Sequence, residues 1–181
     1  TGWQDDETLK SILADESRHT VARISCFLDG ANARSQVKEM GLENTGGYIF
    51  YDATNRNWLD PGKPAAREFL LDLIRQAAEA GFDEILLTEV FNPTEGKLDK
   101  IAYSADRTES LTLFLTEARA ALADYPGVTL SVAVTDTLLL DGEDETSGQS
   151  LSGFAALADA IYALCEGGDY DDAKAAVAEA A

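Results

Sequence analysis

Three carboxylate residues, Asp29, Glu89 and Asp136, each follow an apolar run whose composition is typical of a buried strand. Carboxyl groups can serve as general acids, general bases or nucleophiles. Where helices cover a parallel sheet, catalytic and ligand sites form at the carboxyl ends of the strands. The three residues therefore stand where chemistry or ligand contact would take place. For Glu89 the alternative is a solvated carboxylate that merely ends a strand.

The segment that places Glu89 covers residues 81–93 and reads GFDEILLTEVFNP. Its glycine closes an amphipathic helix, residues 85–87 form a continuous apolar run, and its Asn-Pro pair ends regular structure. A helix that leads directly into such a strand predicts an α/β unit. Thr88 and Asn92 flank Glu89 closely enough to be candidate ligand-binding residues.

An irregular loop is predicted over residues 29–64, with a small β-hairpin in it. The loop carries a concentration of aromatic residues: Tyr48, Phe50, Tyr51 and Trp58. These rings either pack together to hold the loop down or offer a stacking surface for a ligand such as a sugar ring, and packing is the commoner case. Tyr51, Asp52 and Trp58 are the candidate binding residues of this loop.

Periodicity and turn signals place the remaining elements. Strands are predicted from residues 21, 83, 128 and 160, and helices are predicted within 1–17 and over 63–80, 107–123, 151–157 and 170–181. Asp5 or Asp6 would cap the first helix and Asp169 the last one. The alternation of strand and helix predicts an α/β fold with a parallel sheet. Since no repeat or linker divides it, residues 1–181 are predicted to form one domain.

The charge of the chain limits its partners. The sequence of 181 residues has 14 Lys and Arg against 33 Asp and Glu, a formal net charge of −19. Such a charge repels a phosphate backbone and an anionic membrane surface, so neither nucleic acid nor membrane is an expected partner. With 45% hydrophobic residues, the composition is that of an ordinary globular domain.

No metal or cofactor site is predicted. Cys26 and Cys165 both lie in apolar runs, which favours two free buried thiols over a disulfide. His19 is the single histidine and precedes a strand, so we expect it at the surface or at a helix end. The acidic run at residues 141–145 lacks the full spacing of a calcium loop and is interpreted as a solvated loop.

The sequence does not assign the protein to a cellular compartment. The sequence has no apolar run long enough to span a bilayer and no basic region followed by an apolar one at its start. Its first residue, Thr1, is not an initiator methionine. A signal or anchor removed from the chain would make the protein extracytoplasmic.

Several stretches resemble the putative glycoside hydrolase barrel domain of many uncharacterised bacterial proteins. They are NWLDP at 57–61, the amphipathic helix after it, and GFDEI at 81–85. Upstream, VARISCFLD at 21–29 is similar to that family's strand of the form ARIVVFKD. Downstream, Tyr103, Arg107 and DAI at 159–161 also fit. The likeness extends from about residue 21 to about residue 165.

This resemblance implies a TIM-barrel-like (β/α) fold, a carbohydrate ligand, no cofactor, and glycoside hydrolysis by strand-end carboxylates. The catalytic candidates are then Glu89, Asp136 and Asp29. After GFDEI, however, the family has an Asp where this chain has Thr88 and an Arg where it has Phe91. Thr88 cannot act as a carboxylate. The alternative function is therefore a non-catalytic carbohydrate-binding or structural module.

Glu89 adjoins Thr88, but neighbouring side chains on a strand face opposite ways, so only a bulge or the strand's end would turn the Glu89 side chain back to the side of Thr88.

The length of the sequence limits how complete a barrel it can form. A full barrel of eight units needs about 250 residues, and the sequence has four convincing strands. A partial or shortened barrel leaves open sheet edges, which predicts a homodimer or a partner segment.

Overall fold

Strands and helices alternate along the chain, and the computed structural model describes residues 6–164. In chain order the elements are α1 (Glu7–Leu13), β1 (Val21–Ser25), α2 (Gly30–Ser35), β2 (Glu43–Asn44), α3 (Pro64–Ala80), β3 (Glu84–Thr88), β4 (Ile101–Ala102), α4 (Arg107–Ala121), β5 (Thr129–Thr135), α5 (Asp136–Asp141), β6 (Glu143–Asp144), β7 (Gln149–Ser150), α6 (Leu151–Ala155) and β8 (Ala160–Leu164). A 3₁₀ turn, Leu98–Lys100, precedes β4.

A parallel four-stranded sheet lies at the centre, with the strand order β1, β3, β5, β8. Val21 pairs with Glu84, and Glu84 pairs with Thr129, so the strands begin at one level. Their carboxyl ends therefore lie along one edge of the sheet. This arrangement confirms the predicted α/β fold with a parallel sheet.

The two faces of the sheet differ. Ile85 and Leu87 on β3, with Leu130 and Val132 on β5, are fully buried in a core that also contains the apolar residues of α3 and α4. The residues between them face the other side, which we call the open face: at β1 and β3 it carries the exposed Arg23 and the half-buried Leu86, whereas Ser131 and Ala133 of β5 are buried. Parallel strands that are buried on both faces read as continuous apolar runs. Residues 130–134 of β5 are buried at every position, whereas β1 at the edge of the sheet has exposed residues at alternate positions.

Local sequence signals set the ends of the two long helices. Pro64 stands at the first turn of α3, where a missing N–H removes no helical bond. Gly81 ends α3 with a φ of 97°, a left-handed conformation that costs glycine little. Asp106 caps α4 by accepting a hydrogen bond from the Glu109 N–H at 2.9 Å. Within residues 6–164, no helix combines the length and apolar character needed to cross a bilayer.

The predicted strands and helices within the described residues are confirmed, including α1 with Asp6 as its cap. Four features escaped prediction: α2, α5, the antiparallel pairing of β2 with β4, and the β6–β7 hairpin in the acidic stretch interpreted as a loop. The hairpin in the first loop is small, because it consists of a bridge between Glu43 and Ile49. The predicted helix at 170–181, its cap Asp169 and the thiol of Cys165 lie outside the described residues.

The two faces of β3 predict unequal losses of stability on truncation. Ile85→Ala removes fully buried methyl groups and should lower the free energy of unfolding by about 3 kcal/mol. Leu86→Ala, the matched control one residue away, should cost about 1 kcal/mol because its side chain lies on the open face. Urea denaturation measures both losses. Equal losses would contradict an open second face.

Candidate active site

The strand end at Thr88 and Glu89 turns a carboxylate toward the open face. Glu89 would face the helices if β3 simply continued, because side chains alternate along a strand. Instead it has a φ of 52°, in the left-handed region that few non-glycine residues adopt. Its carboxylate accepts a hydrogen bond from the Thr88 hydroxyl, and Arg23 Nη2 lies 3.4 Å from Glu89 Oε1. The turn thus gathers Arg23, Thr88 and Glu89 on one side of the sheet.

Backbone pairing holds this turn in place. Cys26 N–H donates to the carbonyl of Thr88 at 2.9 Å, and Phe27 N–H donates to the carbonyl of Glu89 at 3.2 Å. The pairing of β1 with β3 therefore continues through the left-handed residue. Such a conformation costs a non-glycine residue about 1–2 kcal/mol. Strain of this kind concentrates at functional sites, where the surrounding structure enforces it.

The thiol next to this turn is not a nucleophile at neutral pH. Burial raises the pKa of Cys26 well above its ordinary value, and the negative charge of Glu89 raises it further. The thiolate is the reactive form of cysteine. Cys26 therefore acts as a small apolar core residue, as its apolar sequence context predicts.

The other two strand-end carboxylates have different placements. Asp29 caps α2, because its carboxylate accepts hydrogen bonds from the N–H groups of Ala31 and Asn32 at 3.1 and 3.0 Å and from Asn32 Nδ2 at 2.6 Å. Asp136 begins α5 directly after β5, the neighbour of β3. The side chain of Asp136 lies outside the described part of the structure.

Asn92 fastens a loop to the end of β3. Its side chain donates from Nδ2 to the carbonyl of Ser147 at 2.9 Å, and its backbone N–H donates to the same oxygen at 3.0 Å. Gln149 Nε2 donates to the carbonyl of Val90 at 3.2 Å. Asn92 is only 1% exposed. Its carboxamide therefore holds the β6–β7 hairpin against the strand end.

Asp52 organises the aromatic loop. Its carboxylate accepts hydrogen bonds from the backbone and side chain of both Thr54 and Arg56, and from Trp58 Nε1 at 3.0 Å. Burial raises the pKa of Asp52, but hydrogen bonds from Arg56, Trp58 and Thr54 outweigh it and lower the pKa to about 2. The charged carboxylate is therefore part of the fold of this loop.

Of the four aromatic residues of the loop, two pack in the core and two are exposed. Trp58 is 2% exposed, and its ring lies 5.4 Å from the ring of Phe91. Phe50 is also buried, whereas Tyr48 and Tyr51 are 72% and 50% exposed. Trp58 thus packs, and the exposed face available for stacking belongs to the tyrosines. Tyr51 lines an open cleft of about 680 Å³.

The NWLDP motif holds the same loop. Asn57 Nδ2 donates to the carbonyl of Phe50 at 2.7 Å, and Arg34 Nη1 donates to Asn57 Oδ1 at 2.9 Å. Asp60 is 2% exposed and accepts from the Gly62 N–H at 2.9 Å. A Cβ on Gly62 would lie 2.3 Å from Ser104 Oγ and 3.0 Å from the backbone nitrogen of Ala105, so a larger residue there would displace its neighbours.

His19 lies at the opposite end of the sheet, before β1, and its side chain is 58% exposed, as expected for a surface residue. Its Nε2 is 2.7 Å from Oε2 of the buried Glu84. Burial raises the pKa of Glu84, but interactions with Ser131, His19 and Tyr162 outweigh burial and leave it below its ordinary value. Across residues 6–164, no group of three or more His, Cys, Asp or Glu side chains is placed to hold a metal ion.

Arg23 is the site residue that the sequence interpretation missed. Val21, Arg23 and Ser25 of β1 are exposed, while Ala22 and Ile24 are partly buried. That two-residue alternation is visible in VARIS and places Arg23 on the open face, in register with Leu86. Because the run at residues 21–28 is mostly apolar, all of it was interpreted as a buried strand, and Arg23 was overlooked.

Comparisons with known proteins agree with this architecture. Residues 3–179 match the family described as a putative glycosyl hydrolase domain. No curated protein matches the chain. A hypothetical protein from Ruminiclostridium thermocellum ATCC 27405 is 25% identical, with a TM-score of 0.58 over 68% of this chain and 64% of its own.

Two glycoside hydrolase domains share the fold. That of PgaB (BpsB) from Bordetella bronchiseptica is 16% identical, with a TM-score of 0.59 over 88% of this chain and 57% of its own. A variant of the PelA domain from Pseudomonas aeruginosa is 17% identical, with a TM-score of 0.51 over 79% of this chain and 49% of its own. The four-stranded sheet is thus part of a TIM-barrel-like fold, and the chain spans between 49% and 64% of these three structures.

The carboxylate of Asp52 predicts a specific acid dependence of stability. Because its folded-state pKa of about 2 lies below the ordinary value of 3.8, its contribution is present above pH 4 and is lost as the pH falls toward 2. Asp52→Asn should therefore cost about 2 kcal/mol at pH 7 and much less at pH 2. Urea denaturation across this range measures the difference, with Asp124→Asn as the exposed control. A pH-independent loss would contradict the assignment.

Proposed function

Because this chain belongs to the putative glycosyl hydrolase domain family, we propose that it acts on carbohydrate at the carboxyl ends of its strands, with Glu89 as the reactive carboxylate. The left-handed φ of 52° at Glu89 carries this proposal. It directs the carboxylate to the open face, beside Thr88 and Arg23. An ordinary strand end would leave the carboxylate facing the helices.

Glycoside hydrolysis uses two carboxyl groups, one of which protonates the leaving oxygen. Thr88 and Arg23 both donate to Glu89, so its carboxylate is oriented as an acceptor, which suits a nucleophile or general base. We place the general acid at Asp136, because β5 pairs directly with β3 and both residues follow these strands. Asp29 is the second choice, since its carboxylate already caps α2.

Substrate contacts follow from the same placement. Thr88 is buried and supports the site by donating to the Glu89 carboxylate, whereas Tyr51 offers a half-exposed ring in the loop cleft. Aromatic rings bind the apolar faces of sugars by packing. Asp52, Trp58 and Asn92 contribute by fixing the loops in which substrate contacts lie.

A non-catalytic carbohydrate-binding module is the second candidate. One observation favours it: Thr88 stands where the resemblance places an aspartate, and its side chain is only 1% exposed. In that case the open face binds a glycan and leaves the glycosidic bond intact.

The deciding experiment is hydrolysis of a polysaccharide panel by the chain and by Glu89→Gln. Loss of a catalytic carboxylate should reduce the rate about 10²–10⁴-fold. Glu16→Gln is the matched control, because Glu16 is exposed and precedes β1 at the opposite end of the sheet. The double variant Glu89→Gln/Asp136→Asn should be no more active than Glu89→Gln.

Hydrolysis that survives in both the single and the double variant would refute the catalytic assignment. Binding of a glycan by folded wild-type protein, with no hydrolysis of the panel, would establish the second candidate instead. Circular dichroism of each variant shows that it is folded.

We also propose that the outer edge of β1 pairs with a second copy of this chain. β1 pairs with β3 on one side, and no strand within residues 6–164 lies on its other side. An open cleft of about 460 Å³ follows this edge and is lined by Leu73, Ala77 and Phe82 as well as β1. Unpaired edges of this kind favour strand addition. Sedimentation equilibrium should give twice the chain mass, and a monomer at every concentration would contradict pairing.

A further inference from the structure

A second concave surface lies in the loops above the sheet. The cleft of about 680 Å³ is bounded on one side by the aromatic loop, through Asn44, Tyr51 and Asn55. Its other side is the loop that follows β3, through Lys97 and Lys100. Both loops leave the carboxyl ends of neighbouring strands. The cleft therefore lies at the same end of the fold as Glu89.

Close packing between two loops forms the walls of this cleft. Gly96 has a φ of 105°, and a Cβ on it would lie 3.0 Å from the backbone nitrogen of Ala53. Only glycine allows this approach between the two loops. The Thr45 N–H also donates to the carbonyl of Lys100 at 2.8 Å. With Asp52 holding its own loop, both walls are fixed in position.

The lining combines an aromatic face with nitrogen donors. Tyr51 is 50% exposed, and sugars pack well against such rings. Asn44 Oδ1 accepts from the N–H groups of Gly46 and Tyr48. No residue of the described range 6–164 accepts a hydrogen bond from its NH₂ group, which can therefore donate to a ligand. The side chain of Asn55 has no hydrogen bond within the described structure. These groups suit a polar ring with one apolar face.

Lys97 adds a positive charge that no acidic side chain within residues 6–164 neutralises. In the described part of the chain, acidic side chains pair with most basic ones, such as Asp99 with Lys100 at 3.0 Å. No ion pair or side-chain hydrogen bond engages Lys97 in residues 6–164. The chain has 33 acidic residues against 14 basic ones, so acidic partners are abundant. An unpaired lysine in a preformed cleft is available to a carboxylate from outside.

We propose that this cleft is a subsite for an acidic sugar residue, in which Tyr51 packs against the ring and Lys97 binds the carboxylate. The inference rests on the proposed carbohydrate function and names its substrate class, a glycan that carries uronate residues. The net charge of −19 opposes a dense polyanion. A glycan with isolated uronates on neutral sugars therefore fits best.

Calorimetric titration of the full chain tests the subsite with aldotetraouronic acid, a xylan fragment with a single uronate, and with digalacturonate. The methyl ester of each probe is the control, because esterification removes the charge and keeps the ring. At least one acid should bind about tenfold more tightly than its ester, as expected for a charged hydrogen bond. Lys97→Ala should remove this preference, and Lys97→Arg should retain it.

Tyr51→Ala should weaken acid and ester alike, because it removes packing. Tyr48→Ala is the matched control, since Tyr48 is 72% exposed and does not line the cleft. Equal affinity for acid and ester, an unchanged preference in Lys97→Ala, or no binding of either probe to folded protein would overturn the proposal. The titrations measure binding and the polysaccharide panel measures hydrolysis, so a failure of catalysis and a failure of this subsite are distinguished.

Discussion

The backbone turn at Glu89 is the constraint on which the candidate site depends. Its left-handed conformation is enforced from two sides. On one side the carbonyl of Glu89 accepts the Phe27 N–H, which extends the pairing with β1. On the other side, the carbonyl of Val90 and the side chain of Asn92 are fastened to the β6–β7 hairpin. Neighbouring loops thus maintain a conformation that the chain alone disfavours.

Two carboxylates illustrate how position decides role. Asp52 and Asp29 both follow strand-like runs, and the carboxylate of each accepts hydrogen bonds from nearby backbone N–H groups. Their charge stabilises local structure. Within residues 6–164, the Glu89 carboxylate instead accepts hydrogen bonds only from side chains, those of Thr88 and Arg23. Its contacts can therefore exchange for substrate groups without dismantling a loop.

The fold was predictable from sequence because its signals are local. Pro64 and Gly81 delimit α3, and continuous apolar runs mark β3 and β5. The site was less predictable. The left-handed turn at Glu89 depends on pairing with β1 and on a hairpin some 60 residues away in the sequence. Likewise, β2 and β4 are two-residue strands in separate loops, and they pair only in the folded chain. Neither stretch has a local sequence pattern that predicts a strand. Arg23 was concealed within an apolar run.

The distance between the carboxyl groups of Glu89 and Asp136 in a crystal structure tests the central claim most directly. The account predicts that both groups face the open side of the sheet, separated by about 5–9.5 Å, the span used by retaining and inverting glycosidases. It also predicts a positive φ at Glu89. A Glu89 carboxylate that faces the helices, or a separation well beyond about 10 Å, would contradict a catalytic pair.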